Sequence, residues 1–133
     1  PKNLKTSSNL NTSILWFGPN NWLVTSTKPN LFEDEGKKFD EENFAVTELS
    51  HSRVIIEMEG NFVEEVLKKG CPVDINNLKK GDCINSVYNG ISVTIDFVKD
   101  DPKKIRIFGA RSFGESLYYS ITDAALEFGY LIK

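Results

Sequence analysis

Cys83-Ile84-Asn85-Ser86-Val87-Tyr88-Asn89-Gly90-Ile91-Ser92-Val93-Thr94-Ile95-Asp96-Phe97-Val98 reads as a β-hairpin. Asn89-Gly90 is the preferred pair for a type I′ turn, whose two central residues both need positive φ. On the second arm Ile91, Val93, Ile95 and Phe97 alternate with Ser92, Thr94, Asp96 and Val98, the period of a strand. Asp100-Asp101-Pro102 then turns the chain into another strand, Ile105 to Phe108.

Working outward, Val54, Ile56 and Met58 alternate with Ile55, Glu57 and Glu59. That predicts a strand with one buried face and one partly wet face. A helix opens at Asn61, with Glu64 completing a capping box and Phe62, Val63, Val66 and Leu67 as its apolar stripe. Glu64–Lys68 and Glu65–Lys69 are placed to pair along it, and Gly70 stands where a C′ glycine ends a helix. A last helix spans about Phe113 to Phe128. Ser112 and Glu115 form its capping box, and Leu117, Ile121, Ala124, Ala125 and Phe128 share one face. Toward the start, two apolar runs, 14–17 and 22–24, flank the turn Gly18-Pro19-Asn20-Asn21. Asn30 to Asn43 reads as an acidic helix and Phe44 to Leu49 as a strand. Residues 1–12 are polar and expected as a mobile lead-in, with 13–133 as one domain. The order ββ, α, ββ, α, ββ, β, α gives the α+β class, with helices packed on a largely antiparallel sheet.

Composition narrows the function. The 133 residues are 40% hydrophobic, enough for one core without disulfide or metal staples. A net charge of −3 with acids beside most basic pairs argues against a nucleic-acid partner. No run approaches the roughly 20 apolar residues of a membrane span, and no signal peptide is read. Cys71 and Cys83 form no CxxC pair, and there is a single histidine, so a metal site is not expected. Two unpaired thiols fit a reducing, cytoplasmic setting.

No GxGxxG, P-loop or GxSxG motif is present. His51 is either a general base or a turn residue. Asp74, between Val73 and Ile75, is either an acid/base with a pKa raised by burial or a turn acceptor of backbone N–H groups. Arg111, just before Ser112 and Phe113, can clamp an anion at a helix start or form a salt bridge. Trp16 and Trp22 can anchor a partner or cover the sheet.

Four segments together resemble the gamma subunit of heterotetrameric sarcosine oxidase. Trp16-Phe17-Gly18-Pro19-Asn20-Asn21-Trp22-Leu23 is similar to its GP-x-x-W-L opening. Glu48-Leu49-Ser50-His51-Ser52-Arg53-Val54 is similar to D-x-S-H-R-x-V, with Glu48 where the pattern has Asp. Gly70-Cys71-Pro72-Val73-Asp74 resembles G-C-P-L-D, and Arg111-Ser112-Phe113 with Ala124 to Gly129 resembles R-S-F … A-A-x-E-F-G. The ordered set spans Trp16 to Gly129.

The resemblance implies part of the folate-binding domain architecture of the glycine-cleavage T-protein. It implies an accessory, non-catalytic subunit beside alpha, beta and delta partners, docked mainly on the large folate-domain subunit. FAD, FMN, NAD and tetrahydrofolate are expected on those partners and no cofactor on this chain. The complex would oxidise sarcosine to glycine, form hydrogen peroxide and pass the one-carbon unit to tetrahydrofolate. Asp74 aligns with the catalytic Asp of the T-protein N-D-x-x-x-L-x-x-G stretch. Val73 replaces the Asn, so Asp74 is expected as a relic. Trp16, Trp22, Arg111 and Phe113 are the expected partner contacts. The alternatives are a stand-alone folate-binding protein using Asp74, or the equivalent subunit of a dimethylglycine oxidoreductase.

Overall fold

The Asn89-Gly90 turn forms as the hairpin requires, with φ of 47° and 81°. It joins β5 (Cys83–Tyr88) to β6 (Ile91–Asp100), paired from Cys83↔Asp96 to Tyr88↔Ile91. A computed structural model describes residues 1–41 and 43–133. In it β6 pairs with β7 (Lys103–Ala110), and β7 with β4 (Arg53–Glu59). The order of this antiparallel sheet is β4-β7-β6-β5.

Two helices, α2 (Val63–Gly70) and α3 (Gly114–Ala125), cover one face. Their stripes Val63, Val66, Leu67 and Leu117, Ile121, Ala124 are buried against Val93, Ile95, Phe97, Ile105 and Ile107. The expected capping boxes do not form. The caps are Phe62 and Phe113, neither with a side-chain bond, because a turn and a 3-10 segment (Arg111–Phe113) feed the helices one residue later. Nor do the expected pairs along α2 form. Glu64 is drawn 2.5 Å to Lys103 on β7, and Lys69 reaches Glu127 and the Ala124 carbonyl, so both ions tie elements together instead.

The opposite face is wet along β4, as expected, where Ile55, Glu57 and Glu59 are exposed, but it is covered around Asp96, Arg106 and Phe108. A second antiparallel sheet lies on it, made of β1 (Thr6–Ser8), β2 (Thr12–Gly18) and β3 (Asn21–Ser26). Two sheets thus stand where one is expected, though the α+β class holds. Leu15 packs on Cys83 and Phe108 between them. Around this small apolar contact is a polar layer. Asp96 is 2% exposed and accepts from Arg106 Nη2 at 2.6 Å and Nε at 3.2 Å. Thr6 Oγ1 donates to Asp96 at 2.8 Å, and Arg106 donates to Ser13 Oγ at 3.1 Å. Strand alternation places Asp96 outward from the helix core, and outward here means under the second sheet.

Residues expected as a mobile lead-in supply β1, and Lys5 bridges to Asp82 on the main sheet. Burial pushes the Asp82 carboxyl upward. The bonds from Lys5 and the Lys79 N–H, with the charges of both lysines, outweigh it and hold the carboxyl below its usual range. The acidic helix forms as α1 (Leu31–Glu41). Glu42, inside the expected 30–43 span, lies outside the described residues. The expected strand 44–49 is absent: these residues are exposed and outside both sheets, because no neighbouring strand offers them a ladder.

Removing one member of a buried ion pair leaves the other uncompensated. Arg106→Met should therefore lower unfolding stability by about 3 kcal/mol in urea titration, and adding Asp96→Asn should restore more than half. The lowered Asp82 carboxyl gives a pH signature. On acidification the unfolded chain takes up that proton first. The stabilisation is complete above the unfolded value, near about pH 4, and is lost as pH falls through the lower folded value. The stability gap between the native chain and Asp82→Asn should be flat above about pH 5 and shrink below about pH 4.

Candidate functional site

Asp74 is exposed, not enclosed by its apolar neighbours, because Ile75 takes the inward position. It starts the 3-10 turn Ile75–Asn77, accepting from Asn76 N at 3.3 Å and Asn77 Nδ2 at 2.7 Å. Its carboxylate therefore serves as a turn acceptor, the simpler of the two roles its setting allows.

The rest of the Gly70–Asp74 run also has a packing explanation. Gly70 is the last residue of α2, and its backbone is not left-handed. A Cβ there would stand 2.8 Å from the Tyr88 ring. Tyr88 is fully buried and donates to the Val66 carbonyl at 3.0 Å. Burial pushes its phenol up to about 12. Cys71 is buried, its thiol 3.4 Å from Ser86 Oγ. Burial likewise pushes the Cys83 thiol up to about 11, so it stays protonated and donates to the Trp16 carbonyl. Neither cysteine is poised as a nucleophile, which needs an exposed thiolate.

A second group of residues gathers where the two sheets meet. Trp16 and Trp22 are cross-strand partners, beside a bulge at Phe17 and the turn through Asn20 at φ 54°. The Phe17 carbonyl accepts from Asn85 at 2.8 Å, and the Arg53 guanidinium lies 5.2 Å from the Phe17 ring. Arg53 pairs with Ala110, and the next residue, Arg111, donates from its backbone to Ser52 and from Nη1 to the His51 carbonyl at 3.4 Å. Arg53 on Phe17 thus joins the tip of β2 to the start of β4 and the Arg111 turn. Arg111 and Phe113 are both exposed. Arg111 holds a carbonyl and makes no salt bridge among the described residues. His51 is an exposed turn residue.

Sequence patterns did not disclose the link through Arg53 and Phe17, nor the aromatic neighbours of Trp22. Phe44 meets Trp22 edge-on at 6.0 Å, and Phe39 meets Phe44 at 6.4 Å. The acidic-helix and strand readings of that segment contained both phenylalanines but no sign of their partners.

Among the described residues, no group of three or more His, Cys, Asp or Glu side chains is gathered for a metal. Among the described residues, no helix is long and apolar enough to cross a membrane. A shallow depression of about 460 Å³, lined by Tyr119, Ser120, Thr122, Asp123, Leu126 and Tyr130, offers one carboxylate and no cationic or imidazole side chain.

Residues 1–127 match the family described as sarcosine oxidase, gamma subunit. The chain belongs to that family. It is 26% identical over 118 residues to sarcosine oxidase subunit gamma of Corynebacterium sp. (strain U-96), covering 88% of this chain. It spans 58% of that relative's length. Among solved structures it resembles a chain of the heterotetrameric sarcosine oxidase from Corynebacterium sp. U-96 in complex with pyrrole 2-carboxylate. The TM-score is 0.83 at 25% identity, over 97% of this chain and 67% of that one. In this gamma-family chain, the Gly-Cys-Pro-Val-Asp run packs Gly70 against Tyr88 and ends on Asp74 as a turn acceptor.

A helical Gly→Ala change ordinarily gains about 0.5–1 kcal/mol. Here the methyl group meets a buried ring, and overpacking costs about 1–3 kcal/mol. Gly70→Ala should therefore destabilise by about 1 kcal/mol net in urea unfolding. In a Tyr88→Leu background, which removes the ring, the same change should be neutral or stabilising.

Proposed function

We propose that this chain is the accessory gamma subunit of a heterotetrameric sarcosine oxidase and that its contribution is assembly and stability, not chemistry. The likeness to a chain of such a complex, over 97% of this chain, carries the reading. The use of Asp74 as a turn acceptor agrees with it. The partners are the alpha, beta and delta subunits, with the main contact on the large folate-domain subunit. FAD, FMN, NAD and tetrahydrofolate belong to those partners. The complex oxidises sarcosine to glycine in the cytoplasm, forms hydrogen peroxide and passes the one-carbon unit to tetrahydrofolate. Trp16, Trp22, Arg111 and Phe113 contribute to the contact surface, since aromatic and Arg side chains dominate interface energetics.

Co-expression with the other three subunits tests this. Size-exclusion chromatography should give one peak holding all four chains in equal amounts, with sarcosine-dependent peroxide formation. Without this chain, the remaining subunits should assemble incompletely or lose activity at lower temperature. Full assembly at unchanged thermal stability in its absence contradicts the reading.

A further inference from the structure

We propose that Phe32, Phe39 and residues 43–49, together with Trp22, form the docking surface, and that its occupant is an apolar partner-subunit face rimmed with Lys and Arg. This rests on the assembly reading above.

Three observations converge on this segment. Its apolar side chains are outside the core: Phe32, Phe39, Phe44, Val46 and Leu49 are each between 39% and 46% exposed. The Trp22–Phe44–Phe39 cluster extends them onto the outer sheet beside Trp16. The exposed Trp22–Phe44–Phe39 contacts form a continuous aromatic cluster, which marks an interaction site more often than scattered surface residues do.

The second observation is the backbone. Residues 44–49 have a strand-forming composition, are exposed and belong to neither sheet. Among the described residues, the N–H groups of 45–48 make no hydrogen bond to another backbone group. Backbone groups left without a backbone partner are what strand addition to a partner's sheet edge uses.

The third is charge, which selects the occupant. Residues 30–49 hold seven acids and two lysines, a net −5 against −3 for the whole chain. The remainder is therefore +2. A second copy would set −5 against −5, and nucleic acid or an anionic membrane would be repelled in the same way. A cationic rim on the partner is attracted, and it accelerates encounter.

Binding of the full-length chain to the complex of the other three subunits tests the proposal, with titration calorimetry for affinity and stopped-flow for rate. Phe44→Ser with Val46→Ser should weaken binding about 30-fold, the effect of losing a hot spot. Glu33→Lys with Asp34→Lys should slow association about tenfold at low salt, with the difference vanishing near 1 M salt. Tyr119→Ser, on α3, should change neither. All these positions are exposed, and unchanged melting curves would confirm intact folding. If the native chain binds and the Phe44/Val46 variant binds equally well, the docking surface is wrong while the assembly reading stands. If the native chain does not bind, both fall. A stable homodimer abolished by the Phe44/Val46 changes would overturn the choice of occupant.

Discussion

The Asp96–Arg106 pair between the two sheets is the interaction on which the rest of the molecule depends. Only Leu15, Cys83 and Phe108 are buried together at that contact, with Leu23 at its margin. So little apolar surface cannot by itself fix a three-stranded sheet. Charge-assisted bonds supply direction where hydrophobic contact does not. Thr6 and Ser13 answer Asp96 and Arg106 from β1 and β2, and Asn85 and Cys83 hold the β2 backbone. A buried pair stabilises only when its remaining polar capacity is satisfied. No buried side-chain polar atom among the described residues lacks a partner.

That layer links fold to function. With β2 held on the main sheet, Phe17 lies against Arg53, whose strand partner Ala110 leads into the Arg111 turn. The helix face is closed separately by Tyr88 against Gly70, by Phe62 stacked on Phe128, and by Lys69 across to α3. One face of the main sheet thus carries the apolar core. The other carries a clamped sheet whose outer surface, with α1, remains available to a partner.

Much of this was legible in the sequence where signals were local. The Asn89-Gly90 hairpin, the β4 alternation and the stripes of α2 and α3 all depend on neighbours within a few residues. The α+β class followed from them. What escaped depends on distant partners. Alternation could not say that the face bearing Asp96 is covered, because its cover lies some ninety residues upstream in β1 and β2. Residues 1–12 looked polar and loose, yet Lys5 and Thr6 find acceptors at Asp82 and Asp96. The 44–49 run has strand composition without a ladder, since composition reports suitability for a sheet and not the presence of a neighbour. Gly70 was read as a conformational stop, and its reason is a ring 18 residues away. At the site, the turn role of Asp74 was foreseeable from its spacing to Asn76 and Asn77. The Arg53–Phe17 link was not, because the two residues lie on different sheets.

The account rests on a chain that shapes a complex and carries out no transfer chemistry alone. Calorimetric titration of the isolated chain with tetrahydrofolate tests this most directly. The account predicts no binding heat, with Asp74→Asn indistinguishable from the native chain. Binding at micromolar concentration that disappears in Asp74→Asn would contradict it.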